Sequence, residues 1–183
     1  MRYPPEHKAR ARRQLLASAG ALAKRDGFAA TGVDRFMAEA GATSGAFYAH
    51  FGSKAAMFEA VVEQELAQSL AMLGDDPADP AALARFVERY LSLAHVEHPE
   101  AGCCLPSLAA EIGRGPEPVR ARFEAAMQAL HARVAAACAD PERAWPLIAQ
   151  AVGAVLLARA MHSTDSRAAL LGAVRRDAAT PRR

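Results

Sequence analysis

Residues 31 to 54 read TGVDRFMAEAGATSGAFYAHFGSK, and the order of caps, apolar positions and glycines in this stretch decides the fold. Thr31 offers a helix N-cap before Val33, Phe36, Met37 and Ala40, which fall on one helical face. Gly41 ends that short run. Thr43 or Ser44 caps a second short helix carrying Phe47, Tyr48 and Phe51 and closed by Gly52. Ser53 then caps a longer helix that runs to about Leu73.

Upstream, Glu6 to Asp26 places Leu15, Leu16, Ala19, Leu22 and Ala23 at helical spacing and stops at Gly27. Two short helices joined through Gly41 and Ala42 and packed on a longer first helix fit a helix-turn-helix, whose second helix enters the DNA major groove. Three short helices in a row also make an ordinary bundle. Downstream, the composition of residues 74 to 80 (GDDPADP) predicts a loop. Helices are expected near residues 80–97, 106–113, 117–139, 142–161 and 166–177, with breaks at Pro99 to Gly102, Gly113 to Pro118, Asp140 with Pro141, and Ser163 to Asp165.

The composition agrees with an all-α fold. Of 183 residues 46 are Ala, against 10 Val, 2 Ile and 4 Thr, so helix formers far outnumber strand formers. An apolar fraction of 52% with 23% charged excludes global disorder. No window approaches a membrane span and the N-terminus carries no apolar signal core, so a soluble, cytoplasmic protein is expected. The net charge of +2 hides an asymmetry, because residues 1–54 carry 9 Lys and Arg against 4 Asp and Glu. That split suggests that the N-terminal end meets a polyanion, although a basic face is often only solvated.

The quoted stretch resembles the DNA-binding signature of the TetR family of transcriptional regulators. The positions that carry the resemblance are Thr31, Phe36 with Met37, Ala40 with Gly41, Thr43, Gly45, Phe47, Tyr48, His50, Phe51 and Lys54, and it is specific over residues 13 to 60. Phe36 and Met37 stand where an Ile-Ala pair is more usual, and Gly52 where many members have a Lys or another polar residue. The resemblance implies a helix-turn-helix domain over residues 1–53, followed by a helical ligand-binding and dimerisation domain over residues 54–183.

Each position has a physical reading. Gly45 lets the backbone approach DNA closely. Phe47 and Phe51, four apart, would face the core and leave Tyr48 and His50 toward the duplex. Tyr48, His50 and Thr31 can donate to phosphates. Lys54 sits in the first turn of its helix, where the dipole disfavours a cation, and an external anion would explain it. Base reading then falls to Thr43, Ser44 and Ala46. Taken alone, Tyr48 and His50 are more often packing or surface residues, and Lys8, Arg10, Arg12 and Arg13 an ordinary solvated face.

In the second half the resemblance is architectural. It implies that the last two long helices, residues 141–161 and 166–177, form a four-helix bundle with a partner chain. Ala149, Gly153, Leu156 and Ala160 make a stripe of small and apolar residues suited to close helix approach, in a homodimer or in a seam within the monomer. The segment HPEAGCCLPSLAAEIGR, residues 98 to 114, resembles a version in which a cysteine meets electrophiles or oxidants. Cys103 would be that residue, provided that it is partly exposed and near a cation or a helix N-terminus, and Glu111 would raise its pKa if close. Otherwise Cys103 packs as a small hydrophobe.

Phe86, Tyr90, Leu108, Phe123, Met127 and Trp145, with Cys103, are the candidate lining of an apolar effector cavity. No zinc-binding spacing, phosphate loop, GxGxxG, HExxH, CxxC or GxSxG is present, so neither a metal, a cofactor nor catalysis is expected. The reading is a homodimeric regulator, a repressor that releases a palindromic operator in double-stranded DNA when an unknown small molecule binds. The alternative is an architectural DNA-binding protein without ligand response.

Overall fold

A computed structural model describes residues 5–74 and 79–179. Residues 75–78 of the expected loop, and the N-terminal residues 1–4, lie outside them. The described residues form ten α-helices and no strand: α1 (Pro5–Asp26), α2 (Val33–Glu39), α3 (Ser44–His50), α4 (Lys54–Ala71), α5 (Pro80–Tyr90), α6 (Leu93–Glu97), α7 (Leu105–Gly113), α8 (Glu117–Ala137), α9 (Ala144–Ala160) and α10 (Thr164–Ala179). Short 3₁₀ turns at Pro99–Ala101 and Pro141–Arg143 precede α7 and α9.

The apolar face expected on α1 is buried throughout, from Leu15 to Ala23, and packs with Phe36, Met37, Phe47 and Phe51 of the two short helices. The same core continues into α4 through Met57, Val61 and Val62, and into α7 and α9 through Leu108, Ile112 and Val155. Gly27, Gly41 and Gly52 end their helices at φ +84, +63 and +70, a left-handed backbone that favours glycine. Ser53 caps α4 as expected, accepting the Ala56 N–H at 3.1 Å.

Two local readings are corrected. Thr31 is not the cap of α2, whose N-cap position is Gly32. Thr31 is 2% exposed and its hydroxyl donates to the Gly27 carbonyl at 2.6 Å, closing the turn after α1. The helix expected over residues 80–97 breaks into α5 and α6, because Ser92 accepts the His95 N–H at 3.2 Å and donates to the Arg89 carbonyl at 2.7 Å, starting a new helix.

One buried ion pair joins the first helix to the rest of the molecule. Lys24 Nζ lies 2.8 Å from the Glu65 carboxylate, with both side chains under 5% exposed, and also donates to the Gly102 carbonyl at 3.0 Å. Gly20, one turn before Lys24, has no side chain because the Glu65 carboxylate occupies that space.

Candidate nucleic-acid interface and effector cavity

Phe47 is the anchor of α3. It is 1% exposed and packs on Phe51 at 5.9 Å and edge-on to Tyr48 at 5.0 Å. Anchoring that face turns the opposite one to solvent: Thr43, Ser44 and Gly45 are exposed, Ala46 and His50 half-buried, and Tyr48 is 70% exposed. A side-chain carbon at Gly45 would meet nothing closer than the Thr43 hydroxyl, at 3.7 Å, so no internal packing requires glycine there.

Two neighbours missing from the sequence reading shape this face. The Ser44 hydroxyl donates to the Asp34 carboxylate at 2.7 Å, tying α3 to α2. Lys54 donates to the Ala29 carbonyl at 2.9 Å and lies 5.5 Å from the centre of the Phe28 ring, so an internal acceptor accounts for a cation in the first turn of α4. Thr31, expected at phosphates, is instead buried with its proton committed to Gly27. Burial lowers the pKa of His50, and the charges of Lys8 and Arg12 lower it further, which brings the basic run of α1 beside the end of α3.

In the second half, Phe86, Tyr90 and Cys103 line an apolar cavity of about 40 Å³ together with Leu83, Val87, Leu147 and Ala151. The four other expected lining residues are elsewhere. Leu108 is fully buried in the main core, Phe123 is half-buried against that core, and Met127 faces Leu66 and Leu70 of α4. Trp145 points outward, 46% exposed, and stacks on His131 at 4.6 Å. A larger hollow of about 450 Å³, between α5, α10 and the end of α8, shares Leu83, Val87 and Leu147 with the cavity.

Cys103 is 3% exposed, so the partial exposure that a sensing role requires is missing. It does lie at a helix N-terminus, where its sulfur accepts the Leu105 N–H at 3.4 Å. The Cys104 thiol, then Ser69, Leu105 and Tyr90, stabilise its thiolate and lower its pKa to about 6 against burial, while the Cys104 thiol is raised. Glu111 is turned away from it. Its carboxylate accepts the Phe28 and Ala29 N–H groups at 3.0 and 2.7 Å, clamping α7 to the turn after α1.

His95 holds the segment between the cavity and Lys24. Its Nδ1 donates to the Tyr90 carbonyl at 2.7 Å and its Nε2 accepts the Cys103 N–H at 3.1 Å, which fixes a neutral ring. Gly102 is bare because that ring lies against it. Burial lowers the His95 pKa, with the charges of Arg159, Lys24 and Arg89 acting in the same direction. The folded value is therefore below the unfolded one of about 6.5, and protons favour the unfolded state. Stability from His95 is complete above about pH 6.5 and is lost as pH falls below it, with a slope of up to about 1.4 kcal/mol per pH unit. Urea unfolding from pH 8 to 5 checks this, because His95→Gln removes that part of the slope; an unchanged slope contradicts it.

Among the described residues no group of three or more His, Cys, Asp or Glu side chains is placed to hold a metal ion, and no helix is long and apolar enough to cross a membrane.

Residues 15–61 match the family described as bacterial regulatory proteins, tetR family, and residues 80–174 match the tetracyclin repressor-like C-terminal domain. No curated protein matches the sequence. Three similar solved structures share the fold. A TetR-family transcriptional regulator from Agrobacterium tumefaciens superposes with a TM-score of 0.76 at 22% identity, over 93% of this chain and 96% of that one. A regulatory protein TetR from Rhodobacter sphaeroides gives 0.74 at 23%, over 91% and 96%. The reduced form of E. coli NemR gives 0.71 at 23%, over 90% and 95%.

Proposed function

The chain belongs to the tetR family of bacterial regulatory proteins, and from that membership we propose a homodimeric repressor, acting in the cytoplasm, that leaves a palindromic operator when a small molecule enters the cavity beside Tyr90. Residues 1–53 form the DNA-binding domain and residues 54–183 the effector and dimerisation domain.

The observation that carries the reading is the placement of exposed apolar bulk. Among the described residues four large hydrophobic side chains are exposed: Tyr48 on α3, and Trp145, Leu156 and Leu157 on α9. Exposed apolar residues gathered on a face mark interaction surfaces. On α9 they join Ala149, Gly153 and Ala160, all at least partly exposed, while Leu147, Ile148, Ala151, Val155 and Ala158 fill the opposite face. A helix apolar on both sides needs a partner on the second. The stripe faces solvent, which favours a partner chain over a seam within the monomer.

On DNA, the exposed face of α3 divides by chemistry. Tyr48 and His50 serve phosphates, joined by the ammonium protons of Lys54 that the Ala29 carbonyl does not take, and Thr43, Ser44 and Ala46 serve base edges. Glu111 and Lys24 then couple the two halves, since both tie the cavity side of the molecule to α1 and its following turn. A cavity of about 40 Å³ is smaller than the roughly 300 Å³ or more of ordinary ligand sites, so an effector must widen it. That widening would strain those ties.

Selection from a random duplex library tests the proposal. An inverted repeat should emerge with half-sites about one helical turn apart or slightly more. Substitutions at Ser44 or Ala46 should change the preferred base by about 1 to 3 kcal/mol. No enrichment over random DNA would instead favour an architectural DNA-binding protein.

A further inference from the structure

His95 is buried, and both of its ring nitrogens are in use. Nδ1 gives its proton to the Tyr90 carbonyl, so an added proton must go to Nε2. Nε2 already accepts the Cys103 N–H at 3.1 Å, and a proton there sets donor against donor. The Cys103 N–H then loses its acceptor inside the core, which folded proteins rarely tolerate.

The charges around the ring oppose the proton as well. Arg159 of α9 donates to the His95 carbonyl at 3.1 Å, Lys24 of α1 lies beyond Gly102, and Arg89 sits in the last turn of α5; all three act against another cation. The carboxylates of this region are engaged or turned outward. Glu65 holds Lys24, Glu100 pairs with His98 at 3.3 Å, and Glu97 on α6 itself is exposed. The Tyr90 hydroxyl stays neutral, its pKa raised by burial. The Cys103 thiol, with a pKa of about 6, loses its own charge over the pH range in which His95 gains one.

What the ring holds in place is a tie between the two halves of the molecule. A side-chain carbon at Gly102 would collide with Nε2 and the carbon beside it, so the nitrogen that must take the proton is the one packed on Gly102. The carbonyl of Gly102 accepts from Lys24 of α1 at 3.0 Å, and the turn Pro99–Ala101 packs on the same helix. α1 in turn shares one core with Phe36 of α2 and Phe47 of α3. A displacement at Nε2 therefore reaches the helix that supports the DNA-facing pair.

We propose that His95 is a proton switch between the two halves: a proton on Nε2 drives out the Cys103 N–H, carries the Gly102 carbonyl away from Lys24, and loosens α1 so that the regulator leaves its operator in acid. The sign follows from linkage. A released ring regains a pKa of about 6.5, so the tie is whole above that pH and fails below it. A DNA-binding half with fewer ties must be ordered before both half-sites are met, and that ordering weakens binding. This inference rests on the regulator reading and adds protons as an input to it.

Operator affinity of the full chain at pH 7.5 and 5.5, at one ionic strength, tests it, with circular dichroism confirming that the helices persist at both. Measured against His95→Gln, the parent should lose about threefold to tenfold in acid, tenfold being the limit for one group of pKa about 6.5 over this span. His95→Gln keeps a donor and an acceptor and does not titrate, so it should bind as the parent does at pH 7.5. Lys24→Met/Glu65→Leu keeps His95 but has no tie to release, and should escape the loss too. Cys103→Ser should show the loss in full. The same pH dependence in the parent and in His95→Gln overturns the proposal, and so does a loss that persists in Lys24→Met/Glu65→Leu, because acid then acts by another route. A loss that vanishes in Cys103→Ser assigns the proton to the thiol and overturns it as well. If the parent selects no operator at pH 7.5, the regulator reading fails and the switch with it; if it binds one with an affinity indifferent to His95 at both pH values, the switch alone fails.

Discussion

Glu65→Leu should lower the unfolding free energy by about 3 to 5 kcal/mol, because it strands the Lys24 ammonium in the core with only the Gly102 carbonyl for a partner. Lys24→Met should cost a similar amount by stranding the carboxylate. The combined variant Lys24→Met/Glu65→Leu should recover most of the loss, since apolar residues of similar volume replace a buried pair at little net cost. Each single variant removes a large part of a stability that is about 5 to 15 kcal/mol in ordinary domains. Urea unfolding of the four proteins gives the coupling; losses that simply add in the double variant would show that the two groups do not act as a pair.

Leu156→Glu should abolish dimerisation while leaving the fold intact. Leu156 is 52% exposed in the isolated chain, and Glu is a good helix former, so the monomer has little to lose. Across a two-fold axis one substitution places two carboxylates in the interface. Operator affinity should then fall by about a thousandfold, toward that of non-specific binding, because one half-site no longer holds the other. Sedimentation equilibrium and operator titration measure the two effects. A Leu156→Glu protein that stays dimeric would move the interface away from this face of α9.

The sequence made the helix-turn-helix legible because local chemistry governs it. A cap, an apolar period and a terminal glycine each act within a few residues, and Phe47 and Phe51 are buried as their spacing requires. Thr31 was misread because its hydroxyl has two local uses, capping α2 or closing the Gly27 turn, and only the backbone path selects one. The break at Ser92 lacks the glycine or proline that usually marks one. Lys24 and Glu65 were invisible for another reason: periodicity assigns charged residues to the surface, and their pairing depends on how α1 and α4 cross.

The cavity was legible only in part. Phe86, Tyr90 and Cys103 were found, but the size of Trp145, Phe123 and Met127 said nothing of the direction in which they point. On α9, apolar all round, no hydrophobic period separates the cavity side from the partner side. The identity of the missed wall, Leu83, Val87, Leu147 and Ala151, follows from the packing of α5 on α9.

The central claim is that the exposed face of α3 meets DNA, and Tyr48→Ala tests it most directly, because Tyr48 is 70% exposed and contributes little to the core. The thermal midpoint of this variant should match the parent's, while affinity falls about tenfold or more for the selected operator and for random duplexes alike, as expected of a residue that serves phosphates. Operator affinity equal to the parent's, in a protein of unchanged stability, would contradict the claim.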